Sequence, residues 1–175
     1  KNSSTKIIYI EGNHDFFMGR FFTETLEADV YSDDAEIILD GKKIFMAHGD
    51  MINKRDCGYR MLRWFLRSWA MKLVFNVLPS SVVWQIANSI SKGSRIYLGK
   101  GLFDEMLFVN YARDKWKLGY DGVILGHSHN PKILKGFMDN KEKLYMNPGD
   151  WIRHFTYIVY EDGRFVLNRF NPKIP

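Results

Sequence analysis

Short runs of β-branched and aromatic residues, separated by turn dipeptides, occupy both ends of the chain, while the middle carries apolar residues at helical spacing. Lys6-Ile7-Ile8-Tyr9-Ile10 reads as a buried strand closed by Gly12, and residues 15–28 follow with a helical pattern. Glu36 to Leu39 and Lys42 to Ala47 flank Asp40-Gly41, a dipeptide that favours a type I′ turn because both positions tolerate positive φ. The two segments therefore form a hairpin, and its second strand ends at His48-Gly49-Asp50.

From Met51 to about Leu118 the period changes to that of helices. Over Tyr59 to Leu78, Leu62, Phe65, Leu66, Trp69 and Leu73 make one stripe, and Arg60, Arg63 and Arg67 fall together on another face at three- and four-residue spacing. This predicts one amphipathic helix with a basic flank. Pro79-Ser80-Ser81 breaks it and caps a second helix through Ile90; residues 91–101 form a loop rich in Gly, Ser, Lys and Arg; and Leu102 to Leu118 makes a third helix closed by Gly119. Strand character returns in 121–125, 132–137, 143–146, 154–160 and 164–170, the last two joined through Glu161-Asp162-Gly163. Strands, a helical insert and strands again predict an α/β architecture with three parts: core residues 1–50, a cap insert 51–118, and core residues 119–175.

Composition narrows the class. With 175 residues, 46% of them hydrophobic and 26% charged, the chain has a core's worth of apolar residues, which excludes disordered and collagenous classes. The single cysteine, Cys57, cannot close an internal disulfide, which favours a reducing compartment. The apolar run 61–78 is interrupted by Arg63, Arg67 and Lys72, so it fails as a membrane span. The net charge of +5 is uneven: residues 51–118 hold 12 Lys/Arg against 4 Asp/Glu, and the remainder is net −3. A basic, aromatic-rich insert suits an anionic partner.

Histidine carries the chemistry. Four of the five histidines lie in Asn13-His14-Asp15, His48-Gly49-Asp50 and His127-Ser128-His129, each at the end of a predicted strand and beside glycine; His154 stands outside these clusters and reads as structural. Strand ends let polar side chains converge. Converging imidazole nitrogens with amide or carboxylate oxygens suit a divalent Mn, Fe or Zn better than Mg or Ca, which take oxygen alone.

Gly12-Asn13-His14-Asp15, His48-Gly49-Asp50 and Gly126-His127-Ser128-His129, in that order, resemble the last three signature motifs of the calcineurin-like metallophosphoesterases. The resemblance implies a two-sheet β-sandwich with a helical cap insert and two divalent metal ions, with manganese first and iron or zinc as alternatives. It also implies residue roles. Asn13, His48 and His127 would hold one metal, His129 the other, and His14 would meet the substrate phosphate or leaving oxygen with Asp15 orienting its ring.

Within that family the helical insert and Gly149-Asp150-Trp151 are similar to bacterial pyrophosphohydrolases of lipid A biosynthesis, although many of those carry Arg where His14 stands. This implies a nucleotide-linked glycolipid, UDP-2,3-diacylglucosamine, cleaved to UMP and an acylated sugar phosphate. Arg60, Arg63, Arg67 and Arg95 become candidates for binding its pyrophosphate, and Trp64, Phe65, Trp69 and Phe75 for an apolar slot. The expected location is cytoplasmic, on the inner face of the cytoplasmic membrane, with an anionic membrane surface as partner and no nucleic acid. The family's two upstream motifs, Asp-x-His and Gly-Asp-x-x-Asp, do not occur before Gly12, so the N-terminal part of the fold is expected to be missing. An upstream segment or a second chain would then complete the metal site, and this piece alone would be inactive. A phosphodiesterase acting on soluble nucleotides, or an inactive membrane-binding scaffold, is the alternative.

Overall fold

The structure is a computed structural model, which describes residues 5–13, 15, 20–79, 81–82, 85 and 105–171. It is of mixed α/β class and divides into two compact units, Lys1–Ser32 with Asn53–Asp104, and Asp33–Ile52 with Glu105–Pro175.

In the first unit, strands β1 (Ile8–Ile10) and β2 (Asp29–Tyr31) pair in parallel, Ile8 opposite Asp29 and Ile10 opposite Tyr31. Of the helical segment expected over 15–28, the described part is a single wide π-type turn, Phe21–Thr25, after which the chain enters β2. The long helix expected over 59–78 is two helices, α1 (Cys57–Leu66) and α2 (Trp69–Val77). Ser68 divides them: its backbone is extended (φ −69°, ψ 153°) and its hydroxyl accepts the Met71 N–H, so the side chain caps a new helix instead of continuing the old one. Asp56 caps α1 in the same way, accepting the Tyr59 N–H at 2.9 Å.

The basic flank of α1 is not a uniformly solvated face. Arg63 is buried, and its Nη2 donates to the Ser32 carbonyl at 3.0 Å; Arg67 donates to the same carbonyl at 2.9 Å and pairs with Glu11 at 3.0 Å. These two arginines anchor the helix to the backbone beyond β2, while Arg60 is exposed. Met61, Trp64, Phe65, Trp69, Leu73 and Val77 are exposed on α1 and α2. The second helix expected up to Ile90 and the loop 91–101 lie almost wholly outside the described residues.

The second unit is built on a five-stranded sheet in the order β3-β4-β5-β7-β6, comprising β3 (Asp34–Leu39), β4 (Lys42–Ala47), β5 (Gly122–Leu125), β6 (Lys132–Met138) and β7 (Lys141–Asn147). The central strands β4, β5 and β7 are parallel, and the outer pairs β3–β4 and β6–β7 are antiparallel hairpins. Asp40 (φ 48°) and Gly41 (φ 78°) form the tight turn that their sequence predicts. Asp139 and Asn140 (φ 51° and 58°) do the same between β6 and β7. A separate hairpin, β8 (Thr156–Glu161) and β9 (Arg164–Arg169), turns at Asp162-Gly163.

Helix α3 (Glu105–Lys117) supplies the core. Phe108, Ala112 and Trp116, four residues apart, form one buried face and cluster with Phe45, Ile52, Val123, Leu125 and Tyr145. Trp116 also donates its indole N–H to the Leu144 carbonyl at 3.2 Å. Glu105 in the first turn and Lys115 and Lys117 in the last complement the helix dipole, and Gly119 (φ 94°) follows the helix end. Among the described residues no helix is long and apolar enough to cross a membrane.

Candidate active site

Three neighbouring parallel strands, β4, β5 and β7, end side by side, and each runs directly into one of the polar clusters. In open α/β sheets the carboxyl ends of parallel strands form the crevice where ligands collect. After β4 come His48, Gly49 and Asp50; after β5, Gly126, His127, Ser128 and His129; after β7, Pro148, Gly149 and Asp150. All lie in the second unit.

His48 and His127 meet. His48 Nε2 and His127 Nδ1 are 3.3 Å apart, with the rings edge to face at 5.2 Å between centroids. The Phe108 ring lies nearly parallel to His127 at 6.4 Å, fixing one face of the imidazole against the core. Gly49 has φ 99°, and a Cβ there would come within 3.1 Å of Phe108 and 3.4 Å of Ile52, so the turn that presents His48 needs glycine.

The loop after β5 is wound against sterics. His127 (φ 54°) and His129 (φ 52°) both adopt the left-handed region, which a residue with a Cβ enters at a cost. Buried Asn147 holds the loop in that shape. Its amide donates to the Gly126 carbonyl at 2.9 Å and to Ser128 Oγ at 2.6 Å, and its oxygen accepts the Gly149 N–H at 2.8 Å. One side chain thus ties the ends of β5 and β7 together.

Asp150 forms a second centre. It is buried, and its Oδ1 accepts from the backbone N–H groups of Ile152 (2.7 Å), Arg153 (2.5 Å) and His154 (3.3 Å). Its Oδ2 faces two imidazoles, His154 Nδ1 at 2.6 Å and His129 Nδ1 at 3.7 Å. Burial alone would raise the carboxyl pKa. The Arg153 N–H, the His154 ring and the Ile152 and His154 N–H groups outweigh that effect and hold it well below the usual carboxylate range. Collecting the N–H groups of residues 152–154 also explains why His154 lies in a turn and not at the head of β8, where the sequence pattern puts it. Gly149 (φ 82°) permits the approach, since a Cβ there would sit 2.1 Å from Thr156 Oγ1.

Of the residues singled out by sequence, His48 and His127 are brought together and His129 adjoins Asp150. Asn13 and Asp15 belong to the first unit, on the loop after β1, where Asp15 accepts from the Tyr9 hydroxyl at 3.0 Å and the Gly12 N–H at 3.4 Å. Arg60, Arg63 and Arg67 are also in the first unit. His14 and Arg95 lie outside the described residues. Asn147, Asp150 and His154 escape a search for histidine clusters; the traces they leave are a Pro-Gly loop directly after a strand and the Asp-x-x-x-His spacing.

Among the described residues no group of three or more His, Cys, Asp or Glu side chains is arranged to hold a metal ion. The His48–His127 pair nevertheless has the spacing of two ligands on one ion. Nitrogens bound at ordinary Zn–N lengths on neighbouring positions of a tetrahedron or octahedron lie about 3.0–3.4 Å apart, which brackets the observed 3.3 Å. The donor set fits a borderline divalent cation.

No family model matches the chain. Single proteins do. It is 26% identical over 172 residues to a protein of Pseudomonas savastanoi pv. phaseolicola named UDP-2,3-diacylglucosamine hydrolase, an alignment covering 97% of this chain and 69% of the relative. A protein of the same name from Pseudomonas putida is 28% identical over 172 residues, covering 97% and 71%. Another from Psychromonas ingrahamii is 27% identical over 165 residues, covering 92% and 66%. Along nearly its whole length, then, the chain resembles bacterial proteins named as hydrolases of UDP-2,3-diacylglucosamine.

Proposed function

We propose that this protein is a metal-dependent hydrolase of UDP-2,3-diacylglucosamine, cleaving the pyrophosphate to UMP and an acylated sugar phosphate in lipid A biosynthesis. The observation that carries the reading is the similarity across 97% of the chain to relatives of that name, with the paired histidines His48 and His127 at the ends of adjacent parallel strands. The fold belonging to this proposal is the two-sheet metallophosphoesterase sandwich; of the insert expected over 51–118, α3 packs into the core of the second unit, so the insert is limited to residues 53–104.

In this reading His48 and His127 would hold one divalent cation and His129 would take part in a second position, manganese being the first choice. Cations bound there would supply Lewis-acid polarisation of the phosphoryl group and a water acidic enough to attack phosphorus near neutral pH. His48 and His127 serve as neutral nitrogen donors, each on a strand end anchored in the core, so little ordering is left for the moment of binding. Asn147 keeps His127 and His129 in their left-handed backbone positions. The contact to the phosphoryl or leaving oxygen that the resemblance implies for His14 falls outside the described residues. Arg60 and Arg95 are the remaining candidates for the pyrophosphate; Arg63 and Arg67, already engaged by Ser32 and Glu11, position the helix. No side chain acts as nucleophile.

The test is product analysis. Manganese-loaded protein, expressed with whatever its gene encodes upstream of Lys1, is expected to release UMP from UDP-2,3-diacylglucosamine, detected by chromatography; turnover of soluble nucleotide diesters with no UMP from the lipid-linked substrate would replace this reading with a general phosphodiesterase.

The same proposal places the protein in the cytoplasm on the inner face of the membrane, because exposed Trp64, Phe65, Trp69 and Leu73 accompany the net +8 of residues 51–118. Binding to vesicles containing anionic lipid is expected to weaken with salt, since such attraction is screened over about 8–10 Å. Arg60→Ser with Lys72→Ser should weaken it further. Equal sedimentation of parent and variant would remove the electrostatic component.

A further inference from the structure

The geometry points to His154 as a phosphate-contacting residue of the site, held in place by Asp150; this rests on the hydrolase reading, which assigns His154 nothing. Asp150 is organised as an imidazole holder. One of its oxygens is saturated by three backbone N–H groups, which fixes the plane of the carboxylate, and the other is left to His154 Nδ1 at 2.6 Å. A turn that needed only capping would be complete with the backbone contacts. The ring adds a charge-assisted bond whose effect is to fix its orientation, and with Nδ1 occupied the remaining ring nitrogen, Nε2, is the one available to a ligand.

Location ties this nitrogen to the chemistry. His129, two residues from His127, approaches the same Asp150 oxygen at 3.7 Å, so both imidazoles converge on one buried carboxylate at the end of β7. His154 itself is 44% exposed, so its free edge reaches solvent while its other edge is anchored. An imidazole held through Nδ1 by a buried carboxylate and open to water on the far side presents Nε2 to a ligand; in its imidazolium form it donates Nε2–H to an anionic oxygen, and the anion in the proposed reaction is a phosphoryl group. His154 would be the contacting group and Asp150 the positioning residue.

Three proteins and one probe test this. Inorganic phosphate is titrated into parent protein carrying 15N-labelled histidine, following the His154 ring by NMR, and phosphate affinity is compared for His154→Ala and His154→Asn. Asparagine places an amide nitrogen near the position of Nδ1, preserving the contact with Asp150 while removing Nε2. The expected result is a phosphate-dependent shift of His154 Nε2, and for both variants phosphate binding about ten- to hundredfold weaker, the range for losing one charge-assisted hydrogen bond, with melting temperature of His154→Asn and bound metal unchanged. A silent His154 ring, parent-like phosphate affinity in His154→Asn, or loss of metal from that variant would overturn the inference. If His154 responds to phosphate while the parent releases no UMP, the hydrolase reading fails and the anion contact stands; UMP release with a silent His154 ends the inference alone.

Discussion

His127→Ala is expected to abolish hydrolysis of UDP-2,3-diacylglucosamine and to lower bound metal, with the folded state intact. The physical argument is that His127 does two things no neighbour can take over. Its Nδ1 lies 3.3 Å from His48 Nε2, the ligand-pair spacing, and its ring is held against Phe108. Removing the imidazole leaves His48 as a single nitrogen donor at that point. The fall in kcat should exceed the about 10²–10³ that follows removal of one electrostatic contact, because the polarising cation is lost along with the side chain. Stability should change little, since alanine keeps a Cβ at a position with φ 54° and so leaves the backbone strain in place, which only glycine would relieve. Elemental analysis and circular dichroism on the same sample check the claim. Full metal content in the alanine variant would show that His127 is not a ligand, and an unfolded variant would show that its role is packing.

Asp150→Ala is expected to be the most destabilising single change near the site, by about 3–5 kcal/mol, the range for removing one partner from a buried charged network. Alanine leaves the N–H groups of Ile152, Arg153 and His154 without their acceptor and releases the His154 ring. Asp150→Asn separates charge from hydrogen bonding: one amide oxygen can still accept from the turn, so its loss should be smaller.

The pH dependence has a definite sign. The folded-state pKa of Asp150 is depressed, so its contribution to stability is fully present above the unfolded carboxyl value of about 3.9 and is lost progressively as the pH falls below it toward the lower folded value. In urea melts the gap between parent and Asp150→Ala should therefore be narrower at pH 3 than at pH 7. A constant difference between them would mean that packing, and not the charge, carries the effect.

How much of this was legible beforehand differs from element to element. The hairpin at Asp40-Gly41, the third helix and the five later strands follow from local chemistry: positive-φ turn residues, a four-residue apolar repeat and β-branched runs each act over a few positions. The apolar period predicts one continuous helix over α1 and α2 because it carries across Ser68, whereas a hydroxyl accepting the Met71 N–H interrupts the backbone without disturbing the apolar stripe. The histidine clusters were visible because they sit beside glycine at strand ends.

Asn147 reads as an ordinary strand-end residue, and Asp150 enters only as the middle of Gly149-Asp150-Trp151. Their importance comes from burial, from which N–H groups point at them, and from the parallel order β4-β5-β7, which sets segments about 80 and about 20 residues apart beside one another. By itself the sequence determined the α/β class and the helical character of the middle segment, since both rest on residue type and short-range spacing. Only the tertiary structure decided that His48 meets His127, that Arg63 turns inward onto Ser32 instead of outward, and that His129 and His154 share one carboxylate. Those outcomes depend on strand order and on which polar groups lose water, and neither is encoded in any local window of the chain.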